Sequence, residues 1–252
     1  MYPYPLFFGL GFYELFLLLG IFAAFLMLRR LTGRMGLSAA LHNLILACSV
    51  VGIIGGYFCA VLMQGVYDAL ETGFFALNRN TGATFLGGMC GGVALFLLLY
   101  LVGGRLFLRD EQPIRHFSEA ADCLGVCIPL AHGFGRIGCL MAGCCYGKPA
   151  DWGVYLPEEG IRVVPVPLME SAVLFVIAAF LYRQIERKPG SGLRGYLLLY
   201  GAARFFLEFL RDDDRGATVV PFLSPSQLTC VILVLLGLAL TLIPIFRGRK
   251  QT

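Results

Sequence analysis

Seven stretches of this chain are apolar over nearly the length that a helix needs to cross a lipid bilayer, about 20 residues. They run approximately Gly9–Leu28, Leu41–Met63, Thr84–Leu106, Asp122–Met141, Pro167–Tyr182, Leu193–Leu210 and Gln227–Ile245, the fifth being the shortest. Inside lipid every backbone amide must find a partner within its own segment or in a closed barrel. Stretches of this length close that account as helices. Composition agrees, because 58% of the 252 residues are hydrophobic and only 14% are charged, too apolar for an ordinary soluble domain. The fold class expected is therefore all-α: a polytopic membrane protein with about seven transmembrane helices. The loops are short and no repeat is visible, so residues 1–252 read as a single integral membrane domain, a monomer. Lysine is scarce and the arginines form short clusters, which excludes a nucleic-acid footprint. Met1 to Pro5 offer no positive region and the first apolar run carries Glu14, so no cleavable signal peptide is expected.

Basic residues set the expected orientation. Thirteen of the twenty Lys and Arg fall in one alternate set of connections, around Arg29, Arg105, Arg183 and Arg247. Only five fall in the other: Arg79, Lys148, Arg162, Arg211 and Arg215. By the positive-inside rule the N-terminus lies outside and the C-terminus is cytoplasmic, with seven crossings satisfying the parity. A multi-pass plasma-membrane protein is expected.

The remaining two arginines, Arg136 and Arg204, sit within apolar segments, where a charge is costly and rarely idle. Arg136 belongs to a stretch, His132 to Gly147, that also holds three thiols and five glycines. Its Gly133-x-Gly135-x-x-Gly138 spells a dinucleotide fingerprint, but no βαβ unit surrounds it, and that reading is set aside. Such glycines more often let helices approach, as Gly87-x3-Gly91 and Gly88-x3-Gly92 also would. Arg204, Glu208 and Arg211 lie near one face of the sixth segment. Two readings stand: an ion pair that only locks helices together, or a carboxylate orienting an arginine whose spare donors grip a phosphate. His132 shares a helical face with Arg136 and reads equally as a packing residue or a base.

The nine cysteines are an odd number, against a fully paired disulfide framework. Cys139-x4-Cys144-Cys145 does not follow a standard zinc spacing, leaving three readings: packing thiols, a disulfide on an oxidising face, or a reactive thiol. Glu14 and Glu170 are candidates to pair an arginine. Gln227 follows Ser224-Pro-Ser226, which looks like a capped helix start. The longest outer connection, Gly147–Val166, is either a cap with Trp152 and Tyr155 at headgroup level or a polar loop.

In order and separation, Gly135-Arg-Ile-Gly138, Pro165-x-x-Leu168-x-Glu170, Gly201-x-x-Arg204-x-x-x-Glu208-Phe-x-Arg211 and Ser224-x-x-Gln227-Leu resemble the prolipoprotein diacylglyceryl transferases. Phe85-x-Gly87-Gly88 and Tyr13 resemble that family's motifs in the third and first segments. The resemblance implies transfer of a diacylglyceryl group from phosphatidylglycerol, a membrane lipid, to the lipobox cysteine of a preprolipoprotein, with no metal or organic cofactor required. It implies catalytic roles for Arg136, Arg204 and Glu208, with His132 standing in as the catalytic base. It implies substrate-binding positions at Tyr13, Gly87, Gly88, Gly135, Gly138, Cys139, Glu170, Arg211 and Gln227. The sequence departs from the family where Leu86 takes a histidine's place, Cys139 an asparagine's and Pro167 a glutamine's; thiols replace polar partners. Cys144 is therefore a further catalytic candidate. Two alternatives stay open: thiol chemistry at Cys144 or Cys145 on another lipid or acceptor, and a protein that binds anionic lipid without turnover.

Overall fold

The computed structural model describes residues 10–75, 77, 81–82, 84–157, 159–211 and 222–242. Arg79, Glu158, Arg215, the basic residues Arg247, Arg249 and Lys250, the end of the seventh stretch and the Leu86 side chain lie outside this description. The chain divides into two compact units, Met1–Leu31 with Ser118–Thr252, and Thr32–Phe117.

In the Thr32–Phe117 unit, α2 (Ala39–Thr72) starts where the Ser38 hydroxyl accepts the Leu41 amide and ends where Gly73 turns left-handed at φ 75°. A second apolar run is built from α3 (Phe85–Leu98), a π-helical turn at Leu99–Gly103 and the single turn α4 (Gly104–Phe107). The expected close approach of glycines is present. A Cβ on Gly56 would stand 2.8 Å from the Gly88 carbonyl, and one on Gly92 would stand 2.9 Å from that of Gly52. Small residues on both helices thus bring the two backbones together, as packing inside lipid favours. Buried Tyr100 in the π turn donates its hydroxyl to the Pro113 carbonyl at 3.0 Å.

The other unit holds most of α1 (Phe12–Arg34), then α5 (Phe117–Met141), α6 (Val166–Arg187), α7 (Gly192–Leu207) and α8 (Pro225–Leu242). The α5–α7 packing rests on Asp122. This buried carboxylate accepts the amides of Gly190 and Gly192 at 2.6 Å each and so caps the start of α7 from another helix. A Cβ on Gly125 would come 2.2 Å from the Gly192 carbonyl carbon, so no larger residue fits that crossing.

Among the described residues, six helices are long and apolar enough to cross a membrane, including the Gly87–Phe107 run. The sixth expected stretch is the exception. Its helix, α7, has 16 residues, about 24 Å at 1.5 Å per residue, before a 3-10 turn at Glu208–Leu210 tightens it. A second departure from an all-helical chain is a small antiparallel hairpin, β1 (Pro149–Leu156) with β2 (Ile161–Val163). It occupies the long connection, carries Trp152 and Tyr155 exposed, and is stitched down by three backbone bonds. Gly147 donates to Val164, Val164 to Lys148, and Lys148 to Leu210, so the exits of α5 and α7 share one seam.

Candidate active site

Four of the expected residues meet at one oxygen. Glu170 stands on the first turns of α6, and its Oε1 lies 3.1 Å from Arg136 Nε on α5 and 3.6 Å from Arg204 Nε on α7. His132 Nε2, one turn before Arg136, is 3.9 Å from the same atom. The Tyr200 hydroxyl donates to it at 2.8 Å. Glu170 is 1% exposed, so this carboxylate is out of water and its charge is balanced almost wholly by these neighbours. Arg204 uses a different nitrogen, Nη2, for Glu208 Oε2 at 2.7 Å, the i,i+4 pair expected from the sequence. Ser224 donates its hydroxyl to Glu208 Oε1 at 2.8 Å. A chain of alternating charge thus runs Arg136, Glu170, Arg204, Glu208 across α5, α6 and α7.

The arrangement keeps capacity in hand. Arg204 Nη1, Arg136 Nε and Glu170 Oε2 are buried and make no hydrogen bond among the described residues. Arg136 Nε is close to the carboxylate as an ion partner but off the line of a hydrogen bond. Buried donors of this kind cost free energy until something accepts from them. A Cβ placed on Gly135 would meet nothing within 4 Å, so α5 has open space at that position. At Gly138, by contrast, a Cβ would press on the Tyr13 ring and carbonyl at 3.2 Å, which shows that glycine is used for the α1–α5 approach.

A second cluster forms just past the end of α5. The sulfur atoms of Cys139, Cys144 and Cys145 all lie within 4.8 Å of one another, and all three are free thiols. The fold closes what the linear spacing left apart. Gly143 and Cys145 both turn left-handed, at φ 71° and 61°, and reverse the chain onto Cys139. That conformation costs a non-glycine residue roughly 1–2 kcal/mol. Hydrogen bonds with Cys139 and Cys144, backed by the Arg211 guanidinium, hold the Cys145 thiol below the ordinary range. The bonds to Cys139 and Cys145 hold Cys144 above it. Tyr13, Arg136 and the three thiols are within electrostatic reach of one another.

The remaining expected residues have partners of their own. Gln227 accepts the Ser224 amide while its own amide donates to the Ser224 hydroxyl, a reciprocal capping box at the start of α8. Glu14 accepts the Gly11 amide at 2.8 Å in the first turn of α1, its described bond being to backbone and not to an arginine. Gly87 and Gly88 lie in the other unit, where a Cβ would press on Met63 and Cys59 or on Ala60 of α2. Arg211 is 7% exposed beside Cys145, and its backbone bridges Gly147. Sequence reasoning missed Tyr200 as a site residue. The signal was available, because Tyr200 precedes Arg204 by four positions and therefore shares its helical face.

Fold and site together define a polytopic helical membrane protein with a buried arginine–carboxylate chain shared by three helices. The profile of the family described as prolipoprotein diacylglyceryl transferase matches residues 5–243. The chain is 30% identical to phosphatidylglycerol–prolipoprotein diacylglyceryl transferase 2 of Clostridium perfringens, over 84% of this chain and 82% of the relative. It is 31% identical to the corresponding enzyme of Clostridium tetani, over 81% of each. It is 30% identical to that of Geobacter sulfurreducens, over 95% of this chain and 94% of the relative. The chain belongs to the prolipoprotein diacylglyceryl transferase family.

Proposed function

We propose that this protein transfers the diacylglyceryl group of phosphatidylglycerol to the thiol of a lipobox cysteine in a preprolipoprotein. The observation that carries the reading is the meeting of Arg136 and Arg204, from separate helices, at Glu170. In this reading Glu170 holds the two guanidinium groups at a fixed separation and Glu208 orients Arg204. Their remaining N–H donors take the lipid phosphate. The acceptor thiolate attacks the glycerol carbon, forming a carbon–sulfur bond as the carbon–oxygen bond to phosphate breaks. Glycerol phosphate leaves with the electron pair, and the arginines stabilise the charge that grows on it. His132 receives the thiol proton, and Tyr13, Gly135 and Gly138 border the lipid.

The same reading sets the protein in the plasma membrane as a monomeric single domain, N-terminus outside, with the reaction at the outer leaflet. Family membership supports the membrane setting.

The test supplies phosphatidylglycerol vesicles and a lipobox peptide to the purified protein and follows peptide lipidation by mass. Arg136→Lys and Arg204→Lys keep the charge but lose the fork geometry, and each is expected to lower kcat by about 100-fold or more. Full activity in both variants overturns the phosphate grip. Specific phosphatidylglycerol binding with no turnover selects a lipid-binding protein instead.

A further inference from the structure

We propose that Cys139, Cys144 and Cys145 form a three-thiolate site for a zinc ion whose open fourth position takes the acceptor thiol of the lipobox peptide. The proposal rests on the transferase reading and adds to it a metal that would hold the acceptor sulfur as thiolate where Leu86 replaces the family's histidine.

Geometry carries it. Zinc held tetrahedrally at about 2.3 Å from each sulfur needs sulfurs about 3.8 Å apart. Here the three sulfurs already lie within 4.8 Å, so small side-chain rotations suffice. A disulfide would use two of them and leave the third stranded in the same cluster. The backbone is committed to the arrangement as well, since Cys145 is held at φ 61°, where an L residue is disfavoured. Charge closes too. Three thiolates and one divalent cation leave a single negative charge, and the Arg211 guanidinium lies against Cys145 to offset it. Soft sulfur donors select zinc over magnesium or calcium. Three protein ligands with one position open is the arrangement of catalytic zinc, and closed four-ligand sets are structural.

The chemistry balances without an added oxidant or reductant. The peptide thiol binds the metal and is deprotonated outright, its proton passing through water to His132, the base of the transferase reading, about 10 Å of helix away from Cys139. The bound sulfur then forms its bond to the glycerol carbon, the carbon–oxygen bond breaks, and glycerol phosphate carries away the electron pair. The thioether product is a weak ligand and dissociates. Cys144 is exposed and Arg136 is within electrostatic reach of Cys139 and Cys145, so acceptor and phosphate sites adjoin.

Detergent-purified full-length protein, prepared under reductant, is loaded with zinc or with cobalt(II) as a spectroscopic stand-in. We expect one equivalent of metal per chain by elemental analysis and a sulfur-to-cobalt charge-transfer band. Each of Cys139→Ser, Cys144→Ser and Cys145→Ser should remove the band, while Cys90→Ser, on another helix, should retain it. A lipobox peptide should shift the band, and the same peptide with serine for cysteine should not. Absence of stoichiometric metal, or an intact mass two hydrogens lighter that maps to these cysteines, overturns the site. A band that no acceptor thiol perturbs overturns its role in presenting the acceptor. If the band and its thiol response are present but no lipid is transferred, the metal site stands and the transferase reading falls. If metal-free protein transfers lipid at full rate, the reverse holds. Unchanged melting temperatures in the serine variants separate lost metal from lost fold.

Discussion

Glu170 is a single carboxylate shared by half-buried Arg136 and buried Arg204, and that sharing fixes what its replacement does. Glu170→Gln takes the carboxylate away from Arg136 and leaves Arg204 with Glu208 alone, and breaking a buried pair from one side costs about 3–5 kcal/mol. The expected result is a clear drop in melting temperature in detergent together with loss of turnover. Tyr200→Phe removes one hydroxyl donor to the same oxygen and is expected to cost about 1.5–3 kcal/mol, as for hydrogen bonds to charged groups. Combined, the two changes should fall short of additivity, because Tyr200 has less to donate to once the charge is gone. Gly135→Ala probes the neighbouring space in the opposite way. Nothing lies within 4 Å of the added methyl and alanine is the better helix former, so the melting temperature should not fall while KM for phosphatidylglycerol rises. An unchanged KM would place the lipid elsewhere. At this scale Arg136, Arg204, Glu208 and Glu170 were legible in the sequence because charges in apolar runs stand out. Their common meeting point was not, since Glu170 is 34 positions from both arginines and only helix packing joins them.

Among the helices, the crossings are made by backbone against backbone, and the residues responsible are small. Asp122→Ala strands the amides of Gly190 and Gly192, and each buried orphan costs about 1–3 kcal/mol. Thermal unfolding should report that loss, with Asp122→Asn recovering part of it through its remaining acceptor. Gly56→Leu drives a side chain into the Gly88 carbonyl and the Gly92 backbone and should lower the melting temperature as well. Sequence periodicity and length located the apolar helices, although α1 runs six residues past the expected Leu28 and α2 nine past the expected Met63. The hairpin of Pro149–Leu156 with Ile161–Val163 escaped, because a polar connection of that length reads alike as loop or cap until its backbone bonds to Leu210 and Val164 are seen. The shortness of α7 escaped for a related reason. Its last turn tightens where Glu208 is drawn to Ser224, a partner 16 positions away.

For the whole molecule, the number of crossings decides where the termini lie. Seven put them on opposite faces of the membrane and six on the same face. Reporters at the two ends should signal outside for the N-terminus and cytoplasm for the C-terminus; the same side for both would withdraw α7 as a crossing. The amino-acid order alone determined that this chain enters a bilayer as helices, since stretches so apolar cannot remain in water and a backbone in lipid must bond to itself. It also determined which charges are out of place. Tertiary structure alone decided that Arg136, Arg204, His132 and Tyr200 address one oxygen and that three cysteines close on one point. Both depend on distances between segments remote in the chain, which packing sets and spacing along the chain does not encode.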